Sequence, residues 1–291
     1  MLNFFDSIFK KDNDLKKMNF SLEIGPTTDL ETLPPVRDVY VTMLPGGDYK
    51  ETADKSGDLV KKGFNPVPHF PARSINNEEE LKDYVSRCKD QGVKQILVIG
   101  GSRDPIGKFD SSYQILETGF FEGIKIGIAG HPEGSPDISN ENLDLAIKQK
   151  NDFAKNADFK MYLATQFFFE AKSLIDWEKH LVKIGNTLPI HAGIPGPASI
   201  KTLINYARSC GIGNSLRFIT KQAFNLTKLA TLNTPDKLIY DLAAHSEISK
   251  DSKLEKIHFY AFGGMKKTSE WLNQFNNSDF SYNNKQKFEL N

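Results

Sequence analysis

Eight apolar, strand-like runs recur along this chain, and most of the gaps between them carry a helical pattern. The runs are FSLEIGP (Phe20–Pro26), VYVTMLP (Val39–Pro45), PVPHFP (Pro66–Pro71), QILVIGG from Gln95, IKIGIAG from Ile124, FKMYLATQFFF from Phe159, PIHAGIPG from Pro189 and KIHFYAFGG from Lys256. QILVIGG is apolar without alternation, as are the two runs after it, which marks parallel strands buried on both faces. Strands alternating with helices imply a parallel sheet. Eight of them without a central break predict an α/β fold closed into a (β/α)8 TIM barrel, rather than an open doubly wound sheet. A barrel needs roughly 250 residues, so 291 residues suit one barrel with modest additions. The expected organisation is an N-terminal extension over 1–18, a catalytic barrel over 19–276 and a polar tail over 277–291.

The helical patterns are specific in places. Tyr49–Lys62 ends at Gly63, a C-cap glycine. Asn76 with Glu79 reads as a capping box, after which Leu81, Tyr84, Val85 and Cys88 recur on one face. Asn140–Lys155 and Ala171–Ile184 follow. Three stretches, Ala198–Cys210, Ser215–Ala230 and Pro235–His245, stand before the last run, the third opened by Thr234 as N-cap and Pro235 at N1. A last helix covers Lys266–Phe275. Residues 2–9 suit a short amphipathic helix, and the tail from Asn276 is expected to fray.

Thirty-seven basic residues balance 37 acidic ones, which argues against a general nucleic-acid or membrane-surface binder. Two cysteines, Cys88 and Cys210, have no metal-like spacing and form no disulfide framework, as in a cytoplasmic protein. The N-terminal segment is too short and too charged to span a membrane and lacks a secretory cleavage pattern.

Nearly every run ends in a residue able to do chemistry: Glu23, Thr42, His69, Asp104, His131, Gln166, Pro195-Gly196 and Gly263-Gly264. In a barrel these ends converge on one cavity. Glu23 sits among apolar neighbours, and desolvation there is expected to raise its pKa, which suits proton donation. The loop GGSRDPIG allows close backbone approach to a ligand and offers Arg103 and Asp104. The loop AGHPEGSPD offers His131, Glu133, Ser135 and Asp137. His69, His131 and Glu133 could converge on a metal, but lone histidines more often pack or hydrogen-bond, and no metal is expected. Gln166 can donate and accept at once, as a planar amide-bearing ligand requires. The phenylalanines after it either wall a flat heterocycle or belong to the core. His180, His191, His245 and His258 show no partner pattern and read as structural.

The elements SLEIGP, VTMLPGG, PVPHFPARS, DPIG, AGHPEG, ATQFFFEA, GIPGP and HFYAF, in this order between about Phe20 and Phe275, resemble the methylenetetrahydrofolate reductase family. The resemblance implies a catalytic barrel binding FAD across the strand C-termini. It also implies reduction of 5,10-methylenetetrahydrofolate to 5-methyltetrahydrofolate with NADH or NADPH, or the reverse. By the same resemblance Glu23 is the general acid, Asp104 contacts flavin and pterin, and Gln166 contacts folate and nicotinamide. Phe168 is placed on the substrate, and Thr42, His69, Arg103, His131, Ser135 and Lys150 line the cofactor. The implied partners are a tetrahydrofolate derivative and a nicotinamide nucleotide, with a homo-oligomer or a partner subunit left open. Departures from the family pattern cluster in the cofactor and folate-tail regions: His131 for tyrosine, Ser135 for histidine, Gln149 for arginine, and HFYAFGG, which lacks a folate-binding arginine. They keep two alternatives in view, a flavin-free member with direct hydride transfer and a folate-binding subunit that needs a partner.

Overall fold

The structure, a computed structural model, describes residues 18–213, 220, 230, 232–277, 280–283 and 287–290. Eight parallel strands close into a barrel: β1 (Met18–Ile24), β2 (Val36–Val41), β3 (Asn65–Pro71), β4 (Gln95–Ile99), β5 (Lys125–Gly130), β6 (Met161–Thr165), β7 (Ile190–Pro195) and β8 (Leu254–Tyr260). Around the ring β1 pairs with β8 and β2, and the others pair in sequence order. The outer layer is α1 (Tyr49–Lys61), α2 (Glu78–Asp90), α3 (Ser112–Glu117), α4 (Asn140–Lys155), α5 (Ala171–Lys183), α6 (Ile200–Ser209), α7 (Asp236–Ile248) and α8 (Met265–Asn277). Between β1 and β2 there is only a 3-10 turn, Leu30–Thr32, so among the described residues the helical layer starts after the second strand.

Strand alternation divides the side chains. Phe20, Leu22 and Ile24 of β1 and Ile257 and Phe259 of β8 join the large outer core with the helices. Ser21 and Glu23, and Lys256, His258 and Tyr260, occupy the opposite positions and face the bore. Register brings these together, with Ser21 beside His258 and Glu23 beside Tyr260. Tyr40, Val67, Leu97, Tyr162 and Ala164 form a separate small cluster inside the bore.

Several sequence expectations shift by a residue or two. The first strand runs Met18–Ile24 rather than Phe20–Pro26, and the sixth stops at Thr165, before the phenylalanines. The cap of α2 is Asn77, whose side chain accepts from Glu80 N–H, while the Glu80 carboxylate accepts from Asn76 N–H. The capping pair is therefore Asn77 with Glu80, the carboxylate reaching the residue before the cap, and not a box of Asn76 with Glu79. Likewise α7 starts at Asp236 with Pro235 as its N-cap. The tail does not simply fray: 280–283 and 287–290 pair antiparallel. The expected helices over 2–9 and, almost entirely, 215–230 fall outside the described residues.

Candidate active site

Glu23 and His69 enter the mouth from β1 and β3, and His258 from β8. Glu23 Oε2 lies 3.5 Å from His69 Nε2 and 3.8 Å from His258 Nε2. Its side chain is 22% exposed, against 8% for His69 and 2% for His258. His258 is fixed from behind, its Nδ1 lying 3.0 Å from Ser21 Oγ, and its ring packs on Tyr40 at 4.2 Å between centroids. His69 is held through its backbone, whose carbonyl accepts from Tyr84 Oη of α2 at 3.0 Å.

The charge state of Glu23 corrects an expectation. Burial is the largest influence and pushes the carboxyl up. The His258 hydrogen-bonding partner and the nearby imidazoles of His69 and His258 together outweigh it and leave the group below its ordinary value. Glu23 is thus ionised at neutral pH in the free protein. Burial likewise holds the His69 imidazole below its ordinary value, against the pull of Glu23.

An aromatic wall stands beside this acid. Tyr260 donates to Thr165 O at 2.9 Å. Burial, with the nearby Glu23 charge, holds its phenol well above the ordinary value. Phe262 stacks on Tyr206 at 3.9 Å and meets Phe167 edge-on at 4.6 Å. A Cβ at Gly193 would lie 2.3 Å from Thr165 O and 2.8 Å from the Tyr260 ring, so only glycine lets β7 pass the tyrosine. Phe167 and Phe169 share this cluster. Phe168 points the other way, fully buried in the outer core. This corrects its placement on a substrate, because neighbouring residues in the extended chain after β6 face opposite sides.

The remaining expected residues lie on the loops that follow the strands, with Lys150 on α4. Gln166, half-buried after β6, is tied by its N–H to Gly130 O at 2.9 Å. The loop with Arg103 and Asp104 folds back on the Ala72–Ser74 turn through Ile106 N–H to Arg73 O. Gly107 crosses Asn76 so closely that a Cβ would lie 2.0 Å from its carbonyl oxygen. Asp104 is exposed on this pinned loop. Thr42 Oγ1 donates to Ile24 O at 3.3 Å. Ser135 Oγ accepts from Asp137 N–H, and Glu133 accepts from Ser173 of α5. Lys150 of α4 is 7% exposed, and burial lowers its ammonium to about 8. Burial, with Lys150 close by, lowers His131 to about 4. Among the described residues no group of three His, Cys, Asp or Glu is arranged to hold a metal.

Sequence reasoning missed His258, read as structural, together with Ser21, Tyr206, Tyr260 and Phe262. The signal was present in part: alternation in KIHFY sets Lys256, His258 and Tyr260 opposite two core residues. The other three histidines are elsewhere, His180 on Asp144, His245 on Glu178 and His191 near Glu255.

The fold and this rim define a (β/α)8 barrel whose mouth carries a carboxylate between two imidazoles beside an aromatic wall. In such barrels the C-terminal mouth is where ligands are bound and transformed. The chain belongs to the methylenetetrahydrofolate reductase family, whose model, described as methylenetetrahydrofolate reductase, matches residues 31–274. A probable methylenetetrahydrofolate reductase (NADPH) of Caenorhabditis elegans is 28% identical over 141 residues, 45% of this chain and 20% of that protein. Methylenetetrahydrofolate reductase 1 of Schizosaccharomyces pombe is 26% identical, over 60% of this chain and 30% of its own length, so the chain spans a minor part of these two relatives. The 5,10-methylenetetrahydrofolate reductase of Escherichia coli K12 is 24% identical over 66% of this chain and 69% of that protein. Among solved structures, an uncharacterized protein from Clostridium thermocellum that binds two copies of 5-methyl-5,6,7,8-tetrahydrofolic acid has the same fold. Its TM-score is 0.55 at 14% identity, over 90% of this chain and 94% of that one.

Proposed function

We propose that this chain interconverts 5,10-methylenetetrahydrofolate and 5-methyltetrahydrofolate, with NADH or NADPH as the electron donor in the reducing direction. The observation that carries the reading is Glu23 at the barrel mouth, flanked by His69 and His258 at 3.5 and 3.8 Å. A carboxylate so placed, once protonated, gives its proton to the folate nitrogen, and the five-membered ring opens to an iminium. Running backwards, the ionised carboxylate takes that proton away. Asp104 and Gln166 serve as pterin contacts, the amide also facing the nicotinamide. The aromatic wall of Phe167, Tyr260 and Phe262 excludes water beside the reacting carbon and offers flat surfaces to a heterocycle.

FAD is the family's implied cofactor, and the residues present fit it. Lys150 is a buried ammonium that meets no carboxylate among the described residues, the donor a phosphate needs. Arg103 adds a second cation, and Thr42, His131 and Ser135 add neutral polar groups. Bound flavin would carry hydride between nicotinamide and folate.

The test is turnover of methylene-folate with each nicotinamide by the isolated full chain, alongside its visible spectrum. Reduction by a protein carrying flavin absorption supports the reading, and full activity in a colourless protein moves it to direct hydride transfer. No turnover by the isolated chain, with folate binding intact, makes the chain a subunit that needs a partner.

A further inference from the structure

We propose that His69 is the proton relay of this site, recharging the Glu23 carboxylate after each turnover. The inference rests on the folate reading above. In that reaction one C–N bond of the folate ring breaks. Hydride from the nicotinamide forms the new C–H bond, and the proton on Glu23 forms the new N–H bond. Methylene-folate, NAD(P)H and one proton become methyl-folate and NAD(P)+. Glu23 ends each cycle as a carboxylate and must gain a proton before the next.

Among the described residues four titratable groups face Glu23: His69 from β3, His258 and Tyr260 from β8, and Cys210 at the end of α6. Tyr260 has its hydroxyl committed to Thr165 O, and burial keeps both that phenol and the Cys210 thiol protonated. His258 is the more deeply sealed imidazole, and Ser21 holds its far nitrogen. It positions Glu23. His69 is closer to the carboxylate, and its buried Nε2 makes no hydrogen bond. A buried nitrogen that lies beside a carboxylate without a hydrogen bond calls for an explanation. A nitrogen that alternately takes and releases a proton toward Glu23 provides one. Burial leaves the imidazole mainly neutral at pH 7, so it does not retain a proton that it picks up. A pterin over the mouth would remove the solvent that still reaches Glu23 and so raise its proton affinity. The carboxylate then takes the proton the imidazole offers.

The experiment compares wild-type protein with His69→Gln and His69→Ala, all as full chains. Steady-state reduction of methylene-folate is followed across pH, with 5-methyltetrahydrofolate affinity and flavin content measured on the same preparations. A relay is worth less than the acid it serves, so turnover should fall roughly 10–100-fold, below the 10²–10⁴ of losing a general acid. The deficit should deepen as pH rises and solvent protons become scarce. Added imidazole should restore His69→Ala, with folate affinity near wild type and turnover compared per flavin bound, because His69 also stands among the expected cofactor residues. Near-wild-type turnover in both variants at every pH overturns the relay. So does a loss that is uniform in pH and unrescued, or one that tracks lost flavin or lost folate affinity. In the wild type, absence of turnover with folate binding intact overturns the relay in this chain, whereas absence of both turnover and folate binding sinks the folate reading, which keeps the two failures apart.

Discussion

At the floor of the barrel the buried carboxylate of Asp38 is paired with Lys256 and accepts from Asn65 Nδ2 at 2.7 Å. At the mouth, the ion-pair partners of Glu23 among the described residues are two imidazoles, at 3.5 and 3.8 Å. The floor continues inward as a hydrogen-bonded set: His191 Nδ1 lies 3.2 Å from Tyr40 Oη, which is 2.8 Å from Tyr162 Oη. Both ends are built from carboxylates, imidazoles and tyrosines. Below, their bonding capacity is largely used within the protein; above, it is left for something else. The Asp38–Lys256 pair and the joined tyrosines stiffen the floor, although His191 Nε2 makes no hydrogen bond there, whereas a carboxylate with loose partners can change protonation at small cost.

That contrast can be broken most forcefully at the mouth. Glu23→Gln should cut methylene-folate reduction by ~10²–10⁴-fold with the melting temperature within a degree or two of wild type. Near-normal rates would remove Glu23 from the chemistry. At the floor the sign is reversed. Lys256→Met strands the Asp38 charge, and breaking a buried pair costs about 3–5 kcal/mol. Chemical denaturation should show that loss while kcat per folded molecule is retained. A large fall in kcat at unchanged stability would mean that the floor takes part in catalysis.

The third effect separates the two ends by pH. Burial lowers His191 to about 4 from an ordinary 6.5, so below the higher value the unfolded chain binds a proton the native state refuses. Stability should fall as pH drops from 6.5 toward 4, by roughly 3 kcal/mol in all. Glu23, lowered from 4.5, contributes stability above that value and loses it as pH falls further. His191→Gln should flatten the upper part of the acid limb and Glu23→Gln only the lower part. Identical limbs in both variants would show that neither group governs it. The smallest effect is at Gln166. Gln166→Ala should weaken 5-methyltetrahydrofolate binding roughly tenfold, about 1.4 kcal/mol, with little change in melting temperature. A stability loss at unchanged affinity would place the amide in the core.

Much of this was legible in the chain. Continuous apolar runs such as QILVIGG announce strands covered on both faces, and Glu23 and Gln166 stand out as polar residues at the ends of such runs. What escaped was orientation around those ends. Phe167, Phe168 and Phe169 look alike in sequence, yet the first and third join the wall while the middle one is sealed in the outer core. Sequence favoured a raised Glu23 because burial is visible in a hydrophobic run. The imidazoles that reverse the shift come from β3 and β8.

Local order along the backbone therefore dictates the elements, their alternation and the set of polar strand ends, because strand burial and helix faces depend on residues a few positions apart. Which of those ends meet is decided only when β1 closes against β8. Ser21 and His258, 237 residues apart, become neighbours through that register, and a shift of one residue would turn Glu23 out of the bore. Charge state and proton affinity follow from such distances, which no short-range pattern encodes.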